Sequence, residues 1–273
     1  MPQPFKIVSG FFFLLSVISG SFCQAQGAGS SLLRKQWKVD GVTREALVYL
    51  PSSPPAKGAP VLFVFHGHGG TMGFSARANY ERLWPEAVII YPQGLPISGH
   101  LVDKEGVKAG WQFSEGEVGD RDLKFFDAML ASAVKEYHGN PKNVFTTGHS
   151  NGARFSQLLW AARGEQLRAT AASASSALNL VRTMKPKPYL QITGENDPLV
   201  PFRLQKASFN ALLRVNGCSS EGRVEKHFSD GDVTAYSSNA NAPTLLFQHH
   251  GTHTMPTEGP QVMVDFFKKC VLP

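Results

Sequence analysis

The chain has 273 residues, 42% hydrophobic and 18% charged, with a formal net charge of +6. That length can bury a large core within one α/β domain. The positive excess is mild and contains no run of like charges, which excludes the clustered basic patch that nucleic-acid binding requires.

The chain opens "MPQPFKIVSGFFFLLSVISGSFCQAQGAGS". One lysine, Lys6, precedes an apolar run from Ile7 to Phe22 that gives way to small residues around Ala25. This pattern predicts a secretory signal peptide over residues 1–25, a mature domain over 26–273, and a secreted or periplasmic destination. The run falls short of the roughly 20 apolar residues that a membrane span needs, so no stable membrane anchor is expected. Cys23 leaves with the leader. Cys218 and Cys270 remain, and an even pair in an oxidising compartment predicts a disulfide between them.

"QWKVDGVTREALVYLP" alternates apolar and polar residues around Gly41, which reads as an antiparallel hairpin near a sheet edge. "APVLFVFHGHGG" differs, since Val61 to Phe65 are continuously apolar and suit a strand buried on both faces. "EAVIIYPQG", "NVFTTG", "PYLQITG" and "TLLFQHHG" give further strands of that kind. "DLKFFDAMLASAVKEY" places Phe126, Leu130, Val134 and Tyr137 on one helical face. "ARFSQLLWAARGEQ" and "PQVMVDFFKKC" also read as helices. Strands alternating with helices predict an α/β fold, a mostly parallel sheet covered on both faces, with chemistry at the carboxyl ends of its strands. Residues 94–119 follow neither period, and a loop that long in a compact domain serves as a lid or binding loop.

Ser150 lies in Gly148-His149-Ser150-Asn151-Gly152, a G-x-S-x-G pattern between a β-prone "VFTT" and a helix-prone "ARFSQLLWAA". A serine hydroxyl needs a base within reach and an exposed, strained position, and a strand–turn–helix elbow provides that position. Glycine-rich bends also carry this pattern, so the flanks decide the reading. In this arrangement the acid and the histidine follow the nucleophile in chain order. Asp197 in "GENDPLVPF" is the acid, with Glu195 the nearest substitute. His253 in "HHGTHTMP" is the base, with His249 and His250 competing from the preceding strand. The oxyanion donors are the backbone N–H of Asn151 and that of His68 in "HGHGG", with Gly69 as the alternative.

Together "HGHGG", "YPQGL", "GWQ", "DRDLKFFDAML", "GHSNGARFSQLLWAARG", "GENDPLVPF" and "GTHTMP" resemble the extracellular polyhydroxybutyrate depolymerase/feruloyl esterase-like branch of the α/β-hydrolases. The resemblance implies a single-domain α/β-hydrolase fold and a cofactor-independent serine carboxylesterase with Ser150, Asp197 and His253 as its triad. It also implies an ester substrate that is polysaccharide- or polyester-linked, or a small ester. Ala153-Arg154 departs from the small or apolar residues that many relatives carry after the elbow, and Met255 replaces an aromatic residue. The domain carries no long apolar insertion, and residues 94–119 mix Trp111 and Phe113 with Lys104, Glu105, Lys108, Glu115 and Glu117, so soluble, compact aliphatic, hydroxycinnamoyl or hydroxyalkanoate esters are expected.

Two other classes compete. His66-x-His68 and His249-His250 invite a metallohydrolase, but the further Asp and His of an H-x-H metal motif are missing, so no metal is expected. A non-catalytic binding protein on the same fold is the other. Trp111 and Phe113, with His100 and Leu101, are the candidates for lining a substrate pocket, and anchoring of the loop to the core is the competing role for Trp111.

Overall fold

The computed structural model describes residues 1–2, 32–99 and 102–273. Residues 3–25 of the expected leader, with Cys23, and the pocket candidates His100 and Leu101 lie outside them. Along the chain run strands β1 (Leu33–Val39), β2 (Val42–Tyr49) and β3 (Ala59–Phe65), then short helices α1 (Met72–Ala76) and α2 (Tyr80–Leu83). Strand β4 (Val88–Pro92), the two-residue strands β5 (Leu95–Pro96) and β6 (Ala109–Gly110), helix α3 (Arg121–Lys135) and strand β7 (Gly139–Gly148) follow. The second half comprises α4 (Asn151–Arg163), β8 (Ala169–Ser173), β9 (Tyr189–Gly194), α5 (Phe202–Val215), β10 (Arg223–Phe228), β11 (Gly231–Tyr236), β12 (Thr244–His249) and α6 (Gly259–Cys270).

Among the described residues one ten-stranded sheet has the order β1-β2-β4-β3-β7-β8-β9-β12-β11-β10. Its centre, from β4 to β12, is parallel. Antiparallel pairs flank it, β1–β2 on one side and β11–β10 on the other. The first hairpin turns at Asp40 and Gly41, both with positive φ (47° and 81°), as the twist of a two-residue hairpin turn requires. Every residue of β3, β4, β8 and β9 is buried, because helices cover both faces. On one face α3, α4 and α5 contribute Phe126, Leu158 and Leu212 to the core. On the other, α2 and α6 contribute Tyr80, Met263 and Phe267. No helix among the described residues is long and apolar enough to cross a membrane.

The disulfide expected from cysteine count is corrected here, because Cys218 and Cys270 are both free thiols. Cys218 follows α5 and packs against the α3–α4–α5 face, whereas Cys270 ends α6 in the cluster on the opposite face. The sheet separates them. The Cys218 Sγ hydrogen bonds to Thr244 Oγ1 at 3.3 Å, and burial raises the Cys270 thiol to about 11.

On α3 the buried apolar side chains are Leu123, Phe125, Phe126, Met129 and Ala133. The expected stripe is therefore rotated slightly: Leu130 and Val134 are only half-buried. Strands β8, β10 and β11 and helix α5 were not among the elements expected from sequence.

Candidate active site

Ser150 joins β7 to α4 with φ 55° and ψ −120°, a backbone conformation that costs a non-glycine residue about 1–3 kcal/mol. Its surroundings enforce the turn. A Cβ on Gly148 would stand 2.6 Å from the Phe65 carbonyl oxygen, and one on Gly152 would collide with the carbonyls of Phe65 and His66. Both flanking positions therefore accept only glycine, and the Ser150 N–H is fixed to Ser173 O at 2.9 Å. The hydroxyl sits above the N-terminus of α4, where the helix dipole is positive.

At the ends of β9 and β12 the structure brings Asp197 and His253 together. His253 Nδ1–H donates to Asp197 Oδ2 at 2.8 Å, leaving Nε2 free to accept. The carboxylate is fully enclosed and also accepts from Leu199 N and Val200 N, at 2.8 and 2.9 Å, and from Gln205 Nε2 at 2.9 Å. These four donors fix the orientation of the carboxylate towards His253. No hydrogen bond joins Ser150 Oγ to His253 among the described residues. The two are neighbours through His149, whose ring lies 4.9 Å from that of His253 between centroids. His149 also meets Ser173 Oγ at 3.2 Å, and burial lowers it to about 4, so it stays neutral.

The competing residues are committed elsewhere. Glu195 accepts from His250 Nδ1 and Gln248 Nε2, both at 2.6 Å, in a pair facing solvent. Buried His249 accepts the Gly251 N–H at 3.2 Å, supporting the turn that carries His253.

After β3, His66 Nδ1–H donates to Gly67 O at 2.8 Å while Nε2 accepts from Gly94 N at 2.9 Å. Acceptance at Nε2 needs the neutral ring, and burial lowers the pKa of His66 to about 4. His68 turns away and donates from Nε2 to Asp103 Oδ2 at 3.0 Å. The histidines of "HGHGG" thus point to separate partners. The Gly69 N–H is already given to Ala109 O at 2.7 Å, whereas those of His68 and Asn151 have no partner among the described residues. The loop reaches the elbow, since a Cβ on Gly67 would lie 3.7 Å from that of Ser150.

Trp111 differs from the pocket-lining ring expected of it. It is fully enclosed, stacks on Phe155, meets Phe65 edge-on and donates from Nε1 to His66 O at 2.9 Å. The Asn151 side chain grips the Trp111 backbone twice, at 2.7 and 2.9 Å. This part of the 94–119 segment is therefore a strut rather than a lid. Phe113 remains half-buried, with its N–H on Glu117 Oε2.

No protein-family model matches the chain. Over 242 residues it is 27% identical to feruloyl esterase C of Emericella nidulans, covering 86% of this chain and 87% of that protein. Feruloyl esterase D of Neurospora crassa is 26% identical, with 68% and 65% covered. The fold matches an acetyl xylan esterase from Aspergillus awamori with a TM-score of 0.61 at 13% identity, over 86% of this chain and 99% of that one. A ferulic acid esterase from Anaeromyces mucronatus, solved with ferulic acid, gives 0.59 at 16% identity over 88% and 90%. In sequence the chain resembles feruloyl esterases, and its fold is that of the α/β-hydrolases. By class it is a carboxylic ester hydrolase.

Three features of this hydrolase escaped the sequence reading. Gln205 braces Asp197 from the first turn of α5, and its proximity to "NDP" was the available signal. The grip of Asn151 on Trp111 had no local signal. The buried pair Arg44–Asp122, 2.8 Å apart, ties β2 to α3 beneath the site.

Proposed function

We propose that the chain hydrolyses carboxylic esters through an acyl-enzyme on Ser150. The carrying observation is the backbone of Ser150, a non-glycine residue held at positive φ between two positions where a Cβ collides. Strain at a residue bearing a hydroxyl, at the carboxyl end of a parallel sheet, fits a presented nucleophile. His253 Nε2 takes the Ser150 proton as Oγ attacks the ester carbonyl, and Asp197 keeps the imidazole in the Nδ1–H tautomer and stabilises its cation. The free N–H groups of Asn151 and His68 receive the oxyanion. Such a donor contributes about 3 kcal/mol to the transition state. The imidazolium then protonates the departing alkoxide, and the same base activates water to release the acid. The Ser150–His253 hydrogen bond forms as substrate binds, since catalytic hydrogen bonds commonly tighten only in the enzyme–substrate complex.

The substrates proposed are compact aliphatic, hydroxycinnamoyl or hydroxyalkanoate esters, free or attached to a polysaccharide or polyester. The similarity to proteins named feruloyl esterase and the half-buried Phe113 support this range. Export after cleavage near Ala25 is part of the same reading, and Edman sequencing of the matured protein should begin at Gln26. A fluorophosphonate should add once, on Ser150, as located by peptide mass spectrometry. Ser150→Ala should fold and lose turnover of 4-nitrophenyl acetate. An adduct elsewhere, or a folded Ser150→Ala protein with undiminished turnover, overturns the assignment.

A further inference from the structure

Two arginines are enclosed in this fold, and only one is neutralised by contact. Arg44 is 2% exposed and meets Asp122 at 2.8 Å, the carbonyls of Arg121 and Gln93, and the face of Phe125. Arg154 is 7% exposed, yet no carboxylate among the described residues lies within ion-pair distance of it. Its Nη2 donates to the neutral Asn179 Oδ1 at 2.8 Å, and its Nη1 is buried without a hydrogen-bond partner among the described residues. Glu117 is the acid whose field reaches it, but one oxygen of that carboxylate is committed to the N–H groups of Phe113 and Ser114. An enclosed guanidinium without a contacting anion is costly to keep, and sites that violate packing rules in this way commonly serve a ligand.

Position adds the second argument. Arg154 stands in the first turn of α4, and its backbone N–H bonds to Ser150 O at 2.9 Å. Its side chain extends between the segment bearing Glu117 and the segment after β8 bearing Asn179, both at the carboxyl end of the sheet. Asn179 and its neighbour Leu178 are exposed, so a rotamer change of one surface side chain removes the cover from Nη2.

We propose that Arg154 forms a carboxylate subsite beside Ser150, so that the preferred esters are short and carry a free carboxylate a few bonds from the ester carbonyl. The proposal rests on Ser150 as the nucleophile. A planar guanidinium offers a carboxylate two parallel N–H donors, and Nη1 and Nη2 supply them once Asn179 yields. Acids bearing an internal ester, such as the linear dimer of 3-hydroxybutyrate, have this form, as do the monoesters of short dicarboxylic acids.

The test compares kcat/KM for the 3-hydroxybutyrate dimer with that for its methyl ester, and for monoethyl succinate with that for ethyl butyrate. The two pairs place the carboxylate on the alcohol and acyl sides respectively. The anionic member of at least one pair should be favoured roughly ten- to hundredfold, mainly through KM. Arg154→Met should abolish the preference while retaining turnover of the neutral member, and Arg154→Lys should keep part of it. On the wild-type protein, glutarate should inhibit ethyl butyrate hydrolysis competitively and glutaramide should not, which serves where a variant fails to fold. Equal treatment of charged and neutral esters by the wild type, or equal loss on both in Arg154→Met, overturns the subsite. Absence of turnover on every ester would instead overturn the role given to Ser150.

Discussion

The two sides of Ser150 are built from the same residue types by different physics. On the side of β3 and the 94–119 segment, His66 is 2% exposed, neutral and spent on two backbone hydrogen bonds. Trp111, Asn151 and the Arg44–Asp122 pair complete a scaffold tied together by side-chain hydrogen bonds, although Arg44 Nε makes none among the described residues. On the side of β9 and β12, the His253 side chain is 14% exposed, and it keeps one nitrogen free while an enclosed carboxylate holds the other. Histidine is therefore a strut where both nitrogens are engaged in the interior, and is suited to the base role proposed for His253 where a buried anion orients one nitrogen and the other makes no hydrogen bond among the described residues. Changes on the first side should register in stability, and changes on the second in turnover.

The sharpest break of that division is Asp197→Asn. It keeps the shape but favours the wrong imidazole tautomer, so kcat on 4-nitrophenyl acetate should fall about 10⁴-fold while the urea midpoint moves little. A drop below tenfold would remove Asp197 from the reaction. On the scaffold side, Arg44→Met strands the buried Asp122 carboxylate and should cost about 3–5 kcal/mol in urea unfolding. The protein that stays folded should hydrolyse with nearly unchanged kcat. A large kcat loss at unaltered stability would show that the pair serves the chemistry instead.

His66 gives a pH signature of intermediate size. Burial lowers its folded pKa to about 4, below the usual histidine value, so the unfolded chain binds the extra proton as the medium is acidified. Its neutral burial therefore contributes fully above about pH 6.5 and is lost as pH falls towards 4, a change of roughly 3 kcal/mol. Urea titrations between pH 7.5 and 4 should show a shallower decline for His66→Gln than for the wild type. Parallel curves would mean that His66 takes up its proton freely in the folded state. The smallest effect is expected from Gln205→Leu, which removes one of the donors to Asp197 while keeping the volume. A roughly tenfold lower kcat with unchanged KM would mark Gln205 as a positioning residue. Partial rescue by Gln205→Asn, which keeps an amide donor, would support that role, whereas an equal loss in KM would point to reshaping of the site.

Several elements resisted the sequence for identifiable reasons. β8 reads "ATAAS", and alanines carry little β-propensity, so only its insertion between β7 and β9 makes it a strand. β10, "RVEKHF", is almost wholly exposed and has no apolar face to announce it, existing because β11 offers it an edge. The cysteine pair failed because counting residues says nothing about which face of the sheet each one reaches. Trp111 looked like a pocket residue because an aromatic ring in a long polar loop reads the same whether it faces in or out.

The sequence by itself determined the alternation of strands and helices, the elbow at Ser150 and the chain order of Asp197 and His253. Periodicity and the steric demands of glycine act over a few residues and are written locally. Only the tertiary structure decided that Glu195 belongs to His250 and Asp197 to His253, that Gly69 spends its N–H on Ala109 while His68 does not, and that Arg44 is neutralised but Arg154 is not. Each of those outcomes depends on groups distant in the chain competing for one partner. Burial and hydrogen-bond satisfaction settle such competition after the sheet has brought the loops together.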